Sequence, residues 1–409
     1  MSFKDTLIEE DGFGFVPRPR DTIPSKLREI VRRYTLTNKN KGIVRLISWG
    51  ASIQSIKIPN RDGKLADVVL GFDDMGGYLK NRYMGSIIGR VADRIPIHLS
   101  NMIYPPTIGD VTKKDHLNDV TVAFDNSSFS LKSNARNYQK IILFYIVFLD
   151  EVMSHLSRAD SEGYPGDVLT QVKYTWTDDN QLHINIRATS TKSTRINVTN
   201  YCLFNLAGHG TGSKELKKHF FIVNADSWIF TDVKNHLPIG IISPVDCTPF
   251  ELRLPVQLNR LFDIPGGGYN HNLCINSPSC WCYRFHARIL HPTSGRFLEV
   301  YSNHPGLRVY TGNKLPDPEC VYPSDLKDHE WGGCQDAQIN SLESTKKVAK
   351  TEAICGKEGI PYRRHGGFAL SPQNYPNAIN FKYFPSCMLY PGKIYVHDMT
   401  YKFGVLSKD

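Results

Sequence analysis

Short runs in which apolar and polar side chains alternate recur along this chain, separated by Gly, Pro, Asn and Asp, while apolar spacing at helical intervals is scarce. Alternation with a period of two puts one face of a strand inside and one outside, so the pattern demands sheets with a shared core. IVRLISWGASIQSIKIP (43–59), the turn Asn60-Arg61-Asp62-Gly63 and ADVVLGF read as an antiparallel hairpin. Further strands are expected at VLTQVKYTWT, LHINIRATS, HFFIVNADSWIF, FLEVYSN and LRVYTGN. Many short strands without intervening helices imply an all-β fold, a large antiparallel β-sandwich.

Three stretches fall outside this grammar. Residues 1–35 are polar, carry Pro17, Pro19 and Pro24, and read as an N-terminal extension to a domain spanning 36–409. Residues 96–160 hold few turn signals and end in the apolar run Ile141–Leu149, which reads as a buried strand because it is about half the length of a membrane span. Residues 314–360 are rich in charge and cysteine, without strand signal, and are expected to be an insertion loop.

Composition narrows the function classes. With 41% hydrophobic residues the chain can bury a sizeable core, and 22% charged residues argue against wholesale disorder. The net charge of +9 is dispersed; the small clusters Arg28, Arg32, Arg33 and Lys217, Lys218 lack the interleaved aromatics of a single-strand binder, so no nucleic-acid partner is expected. The nine cysteines form no even framework and no zinc spacing, which points to free thiols, a reducing compartment and no metal. MSFKDTLIEEDG contains acids and no apolar core, so a secretory signal is not expected, and the sequons at Asn126 and Asn197 then carry little weight. The reading is a cytoplasmic protein without membrane association, its oligomeric state left open with a monomer favoured.

Seven blocks in register carry the strongest signal: residues 48–79, GSIIGRVADRI (85–95), SEGYPGDV (161–168), NVTNYCLFNLAGHG (197–210), GGYNHNL (267–273), HPTSGRFLEVYSNHPGLRVYTGN (291–313) and GGFALSPQNYPNAIN (366–380). Together they resemble the aldose 1-epimerase (galactose mutarotase) family. The resemblance implies a large β-sandwich with a sugar in an open cleft, no cofactor, and an aldohexose such as galactose or glucose, or a related sugar, as partner. In such an enzyme a base takes the proton of the anomeric hydroxyl and an acid protonates the ring oxygen, the ring opens, the carbonyl rotates, and the reverse transfers close it. Carboxylate and imidazole suit those tasks near neutral pH.

Position by position, the resemblance maps the catalytic groups onto other chemistry. The glutamate base falls on Ser371, followed by Pro372, and the acid histidine of N-H-S-Y-F-N-L falls on Tyr201, a phenol with an ordinary pKa of about 10. The second histidine of L-H-G-G-x-x-G-F-D falls on Asn118, with His116 just before it. The aspartate of G-[YF]-D-H-N becomes Asn270 and the glutamine of P-G-x-Q-x-Y-T-G-N becomes Arg308. The early A-N-R becomes Ala92-Asp93-Arg94, which keeps only its arginine among the polar cleft positions. No G-x-S-x-G elbow surrounds Ser371, which argues against a hydrolase built from Ser371, Tyr201 and His209 or His365. The favoured reading is a sugar-binding family member impaired in catalysis. The alternatives are an active epimerase using Tyr201, Arg308 and a displaced carboxylate, such as Asp119 or Glu162, and a protein-interaction scaffold with a vestigial cleft.

Overall fold

The computed structural model describes residues 7–15, 30–81, 83–95, 116–117, 130–131, 150–160, 163–232, 238–259, 264, 267–277, 281–317 and 352–407. Asn118, Asp119, Glu162, the run Ile141–Leu149 and most of 314–360 lie outside these residues. The described chain is all-β, and its two α-helices, Met75–Lys80 and Gly212–Leu216, are short. No helix among the described residues is long and apolar enough to cross a membrane.

Three antiparallel sheets share one core. The first runs in chain order through Leu7–Phe15, Ile30–Thr37, Ile43–Ile47, Ser52–Pro59 and Leu65–Asp67; the expected hairpin forms between the last two, with its second strand confined to three residues, while the run 43–59, expected as one arm, is two strands paired with each other. Leu7–Phe15, within the expected N-terminal extension, is the outermost strand of this sheet.

The second and largest sheet has nine strands. From edge to edge they are Val256–Gln257, Phe220–Val223, Arg284–Leu290, Arg296–Ser302, Tyr395–Val405, Gln181–Ser190, Val168–Trp176, Asp150–Ser157 and Ser130–Leu131. Alternation is clearest in Gln181–Ser190, where Leu182, Ile184, Ile186 and Ala188 point inward and are buried. Cutting one of the three larger side chains back to alanine, Ile184 for example, costs about 2–5 kcal/mol, because a neighbouring sheet cannot collapse into the gap.

The third sheet, here called the cleft sheet, is ordered Pro238–Pro244, Ala225–Thr231, Asn270–Ile275, Gly306–Tyr310 and Ala369–Gln373. Leu273, Leu307, Val309 and Leu370, from its last three strands in that order, enter the same core as the large sheet. The run HFFIVNADSWIF, expected as one strand, is two. It crosses from the large sheet to the cleft sheet at Asn224, whose backbone N–H donates to the His286 carbonyl at 2.8 Å and whose carbonyl accepts from Asn276 N–H at 2.9 Å. Both backbone groups are thus satisfied at the corner, which lets the chain change layer without an orphaned donor.

Candidate functional site

Strand register assembles the site. Across the cleft sheet, Asn272 is paired with Arg308, Arg308 with Ser371, and Asn270 with Tyr310. Since successive side chains alternate faces, Asn270, Asn272, Arg308, Tyr310, Ser371 and Gln373 share one face, opposite the leucines and valine that feed the core. The apolar half of each strand fixes which polar residues lie on the opposite face, because a one-residue slip would exchange the two sets.

Asp93 is the hub of this face. It sits in the left-handed region with φ 71, a conformation that Asn and Asp tolerate better than other non-glycine residues. Its carboxylate forms an ion pair with the Arg308 guanidinium and accepts hydrogen bonds at Oδ2 from Asn272 Nδ2 at 2.9 Å and Gln373 Nε2 at 3.3 Å. Gln373 Nε2 also donates to Asn272 Oδ1 at 2.7 Å, and Arg308 Nη2 donates to Asn270 Oδ1 at 2.7 Å. Burial works against the Arg308 charge, yet Asp93 more than offsets it and the guanidinium titrates above its ordinary value. The side chain of Asp93 is 5% exposed and that of Arg308 21% exposed, so the arginine is the member of the pair that reaches solvent.

Ser371 is linked to the segment that carries Tyr201 through the preceding residue, Asn200. Ser371 is buried, and its hydroxyl donates to the Asn200 carbonyl at 2.9 Å. That segment is held beside the cleft sheet by Thr199 Oγ1 donating to the Pro372 carbonyl at 2.6 Å and by Asn200 Nδ2 donating to the Gly85 carbonyl at 2.8 Å. Tyr201 stacks at a tilt on Tyr310, with ring centroids 6.0 Å apart. Burial, reinforced by Tyr310 and opposed by Arg308, pushes the Tyr201 phenol well above its ordinary pKa of 10.0. Neither group suits proton exchange near neutrality: the serine proton is committed to a carbonyl, and the phenol holds its proton more tightly than in water.

Of the residues expected from sequence, Asp93, Asn270 and Arg308 are joined in one network, and Tyr201 and Ser371 border it. The backbone of Arg94–Ile95 pairs with that of His116–Leu117, while Asn118 lies outside the described residues. Asn272, Gln373 and Tyr310 were not singled out from sequence. Each lies two residues along a strand from a residue that was, so the period-two rule applied to Asn270, Ser371 and Arg308 points to all three.

His209 and His365, weighed as alternatives, and two further histidines make other contacts. His209 Nδ1 lies 3.0 Å from the Tyr362 hydroxyl, and His365 Nδ1 donates to the Thr311 carbonyl at 2.7 Å. His291 joins Ser294 and Glu215, and His271 stacks on Phe250 with centroids 4.5 Å apart. Asn197 of the sequon is buried and its side chain bridges the backbones of Ala92 and Asn374, which makes it a framework residue. Among the described residues no cluster of His, Cys, Asp and Glu gathers as a metal site.

A family model described as aldose 1-epimerase matches residues 32–99 and 148–402. The chain is 35% identical over 365 residues to the galactose mutarotase of Homo sapiens, covering 88% of this chain and 91% of that protein. It is also 28% identical over 289 residues to the aldose 1-epimerase of Haemophilus influenzae, covering 69% of this chain and 78% of that protein. Among solved structures, a GalM/aldose epimerase homologue from C. elegans superposes with a TM-score of 0.69 at 23% identity, covering 91% of this chain and 98% of its own. A galactose 1-epimerase from Lactobacillus acidophilus does so with a TM-score of 0.69 at 16% identity, covering 98% and 99%. At those identities the structural likeness establishes the fold. The two matched segments of the family model leave out 100–147, the part of the chain that holds Asn118.

Proposed function

The chain belongs to the aldose 1-epimerase family, and from that premise we propose that it binds a sugar in the family cleft without catalysing efficient ring opening. The observation that carries this reading is the state of the two groups at the acid and base positions. Ser371 is a buried hydroxyl bound to the Asn200 carbonyl, and Tyr201 is a phenol held protonated by burial. General acid and base groups each contribute typically about 10² to 10⁴ in rate and act as a unit, so losing both leaves little above the reaction that proceeds unaided in water.

The cleft carboxylate Asp93 favours a second reading, an active epimerase with a displaced base. Its commitment to Arg308, Asn272 and Gln373 counts against that role, because a base must give up its partners to take a proton. Polarimetry with purified protein and α-galactose separates the two. Under the first reading the optical rotation relaxes at the rate of the buffer blank. A clear excess rate that disappears in Tyr201→Phe or Asp93→Asn would establish the second.

A further inference from the structure

Among the described residues, this face offers hydrogen-bond donors and few free acceptors. Arg308 is a donor-only group; Asp93 and Asn270 Oδ1 occupy its two terminal nitrogens, and further N–H donors remain on a side chain that is still 21% exposed. Asn270 Oδ1 already accepts from Arg308, so what it has left is its amide N–H₂. The one carboxylate of the network, Asp93, is turned to Arg308, Asn272 and Gln373 and is 5% exposed. Formal charge points the same way. Relative to the family pattern, Asp93 in place of Asn adds one negative charge, Arg308 in place of Gln adds one positive charge, and Asn270 for Asp and Ser371 for Glu each remove a negative one. The net formal charge of these positions is therefore more positive by two than in the pattern they resemble.

Resting on the sugar-binding reading above, we propose that the cleft takes an acidic aldose derivative, a hexuronate whose carboxylate is held by Arg308 and Asn270. A carboxylate presents two coplanar acceptor oxygens, which match a guanidinium and an amide N–H₂ lying side by side, and such charge-assisted bonds are roughly twice as strong as neutral ones. A neutral aldose offers hydroxyls, which need acceptors as well as donors, and the acceptors here are spent inward. The anionic oxygens of a sugar phosphate share part of this chemistry, so the test includes one.

Isothermal titration calorimetry of the full chain at pH 7 and low salt compares sodium galacturonate, galactose and galactose 6-phosphate. Galacturonate is expected to bind about tenfold or more tightly than galactose, equivalent to about 1.4 kcal/mol, with the advantage shrinking as salt rises. Asp93→Asn, which removes the competing carboxylate, strengthens galacturonate binding. Arg308→Gln alone leaves Asp93 buried without its partner and risks misfolding, so the informative variant is Asp93→Asn with Arg308→Gln. That double change restores a neutral lining, and it is expected to abolish the preference while the melting temperature stays near that of the parent. Equal or tighter binding of galactose, no binding of galacturonate, a preference that survives the double change, or tighter binding of galactose 6-phosphate would each overturn the assignment. Galactose binding without a galacturonate preference sinks this inference and leaves the non-catalytic reading standing; mutarotation above the blank does the reverse.

Discussion

A glutamate restored at position 371 would stand directly across the ladder from Arg308, whose Cα is paired with that of Ser371. Directly opposed residues on one face lie with Cβ atoms about 4.5–5.5 Å apart, within reach of a guanidinium. The new carboxylate would pair with Arg308 or compete with Asp93 for it, and an ion-paired carboxylate has its pKa driven down, away from what a base needs. It would also remove the Ser371 bond to the Asn200 carbonyl. Ser371→Glu alone is therefore expected to give no mutarotation above the buffer blank. Adding Tyr201→His, Arg308→Gln and Asp93→Asn supplies the acid and removes both competing charges, and polarimetry should then show a rate that the single variant lacks. If Ser371→Glu alone is active, the proposed role of Arg308 is wrong.

At the scale of elements, what was legible in the sequence tracks how each strand meets the core. Val168–Trp176, Gln181–Ser190 and Arg296–Ser302 were readable because one face of each is buried and the other is not. Leu7–Phe15 was not, since LIEEDGFGF pairs on one side only and leaves most of its side chains in solvent, so burial imposed no alternation on it. In the site, Arg308 and Asn270 were legible as strand positions, but the Asp93–Arg308 pair was not, because only the fold brings such distant segments together.

Lys357 shows the same limit. It lies in a charge-rich stretch that reads as solvated loop, yet it is 4% exposed and its ammonium donates to the Gln54 carbonyl at 2.9 Å and to Asp67 at 2.6 Å. This bond ties the segment after 351 to the first sheet. Lys357→Met is expected to destabilise the protein by about 3–5 kcal/mol, the usual result of leaving one charge of a buried pair alone. The loss should fall toward the lower end, since Asp67 keeps the Ser55 hydroxyl at 2.7 Å and the backbone N–H groups of Ile56 and Val69. Asp67→Ala loses all of these together and should cost more. Urea unfolding of the two variants gives the order, and the reverse order would show that the lysine, not the aspartate, organises the junction.

Over the whole molecule, the interior histidines tie stability to pH. His219 and His286 are buried and held neutral, with pKa values lowered from 6.5 to about 3; burial is the main cause, helped by His291 beside His219 and by Arg284 and His397 beside His286. His397 is lowered by burial to about 4, although the Val198 carbonyl, which accepts from its Nδ1, works in the opposite direction. In the unfolded chain these groups take up protons as the pH falls through 6.5, while in the folded chain they do not until pH 4 or below. The unfolded state thus binds more protons throughout that window, and stability present above pH 6.5 is lost as the pH drops. Each such histidine contributes a slope of up to about 1.4 kcal/mol per pH unit, and three together would exhaust a typical stability of about 5–15 kcal/mol within a few units. Carboxylates add their own acid sensitivity, but around and below their ordinary values near 4, so the interval between pH 6.5 and 5 isolates the histidines. Urea titrations at pH 7, 6 and 5 should show the unfolding free energy falling over that interval. Replacing His397 by Gln, whose amide can still donate to the Val198 carbonyl, should flatten the slope by about one histidine's share even if it lowers stability at pH 7. A free energy that stays level from pH 7 to 5 would mean that these rings are reached by water and protonate in the folded protein.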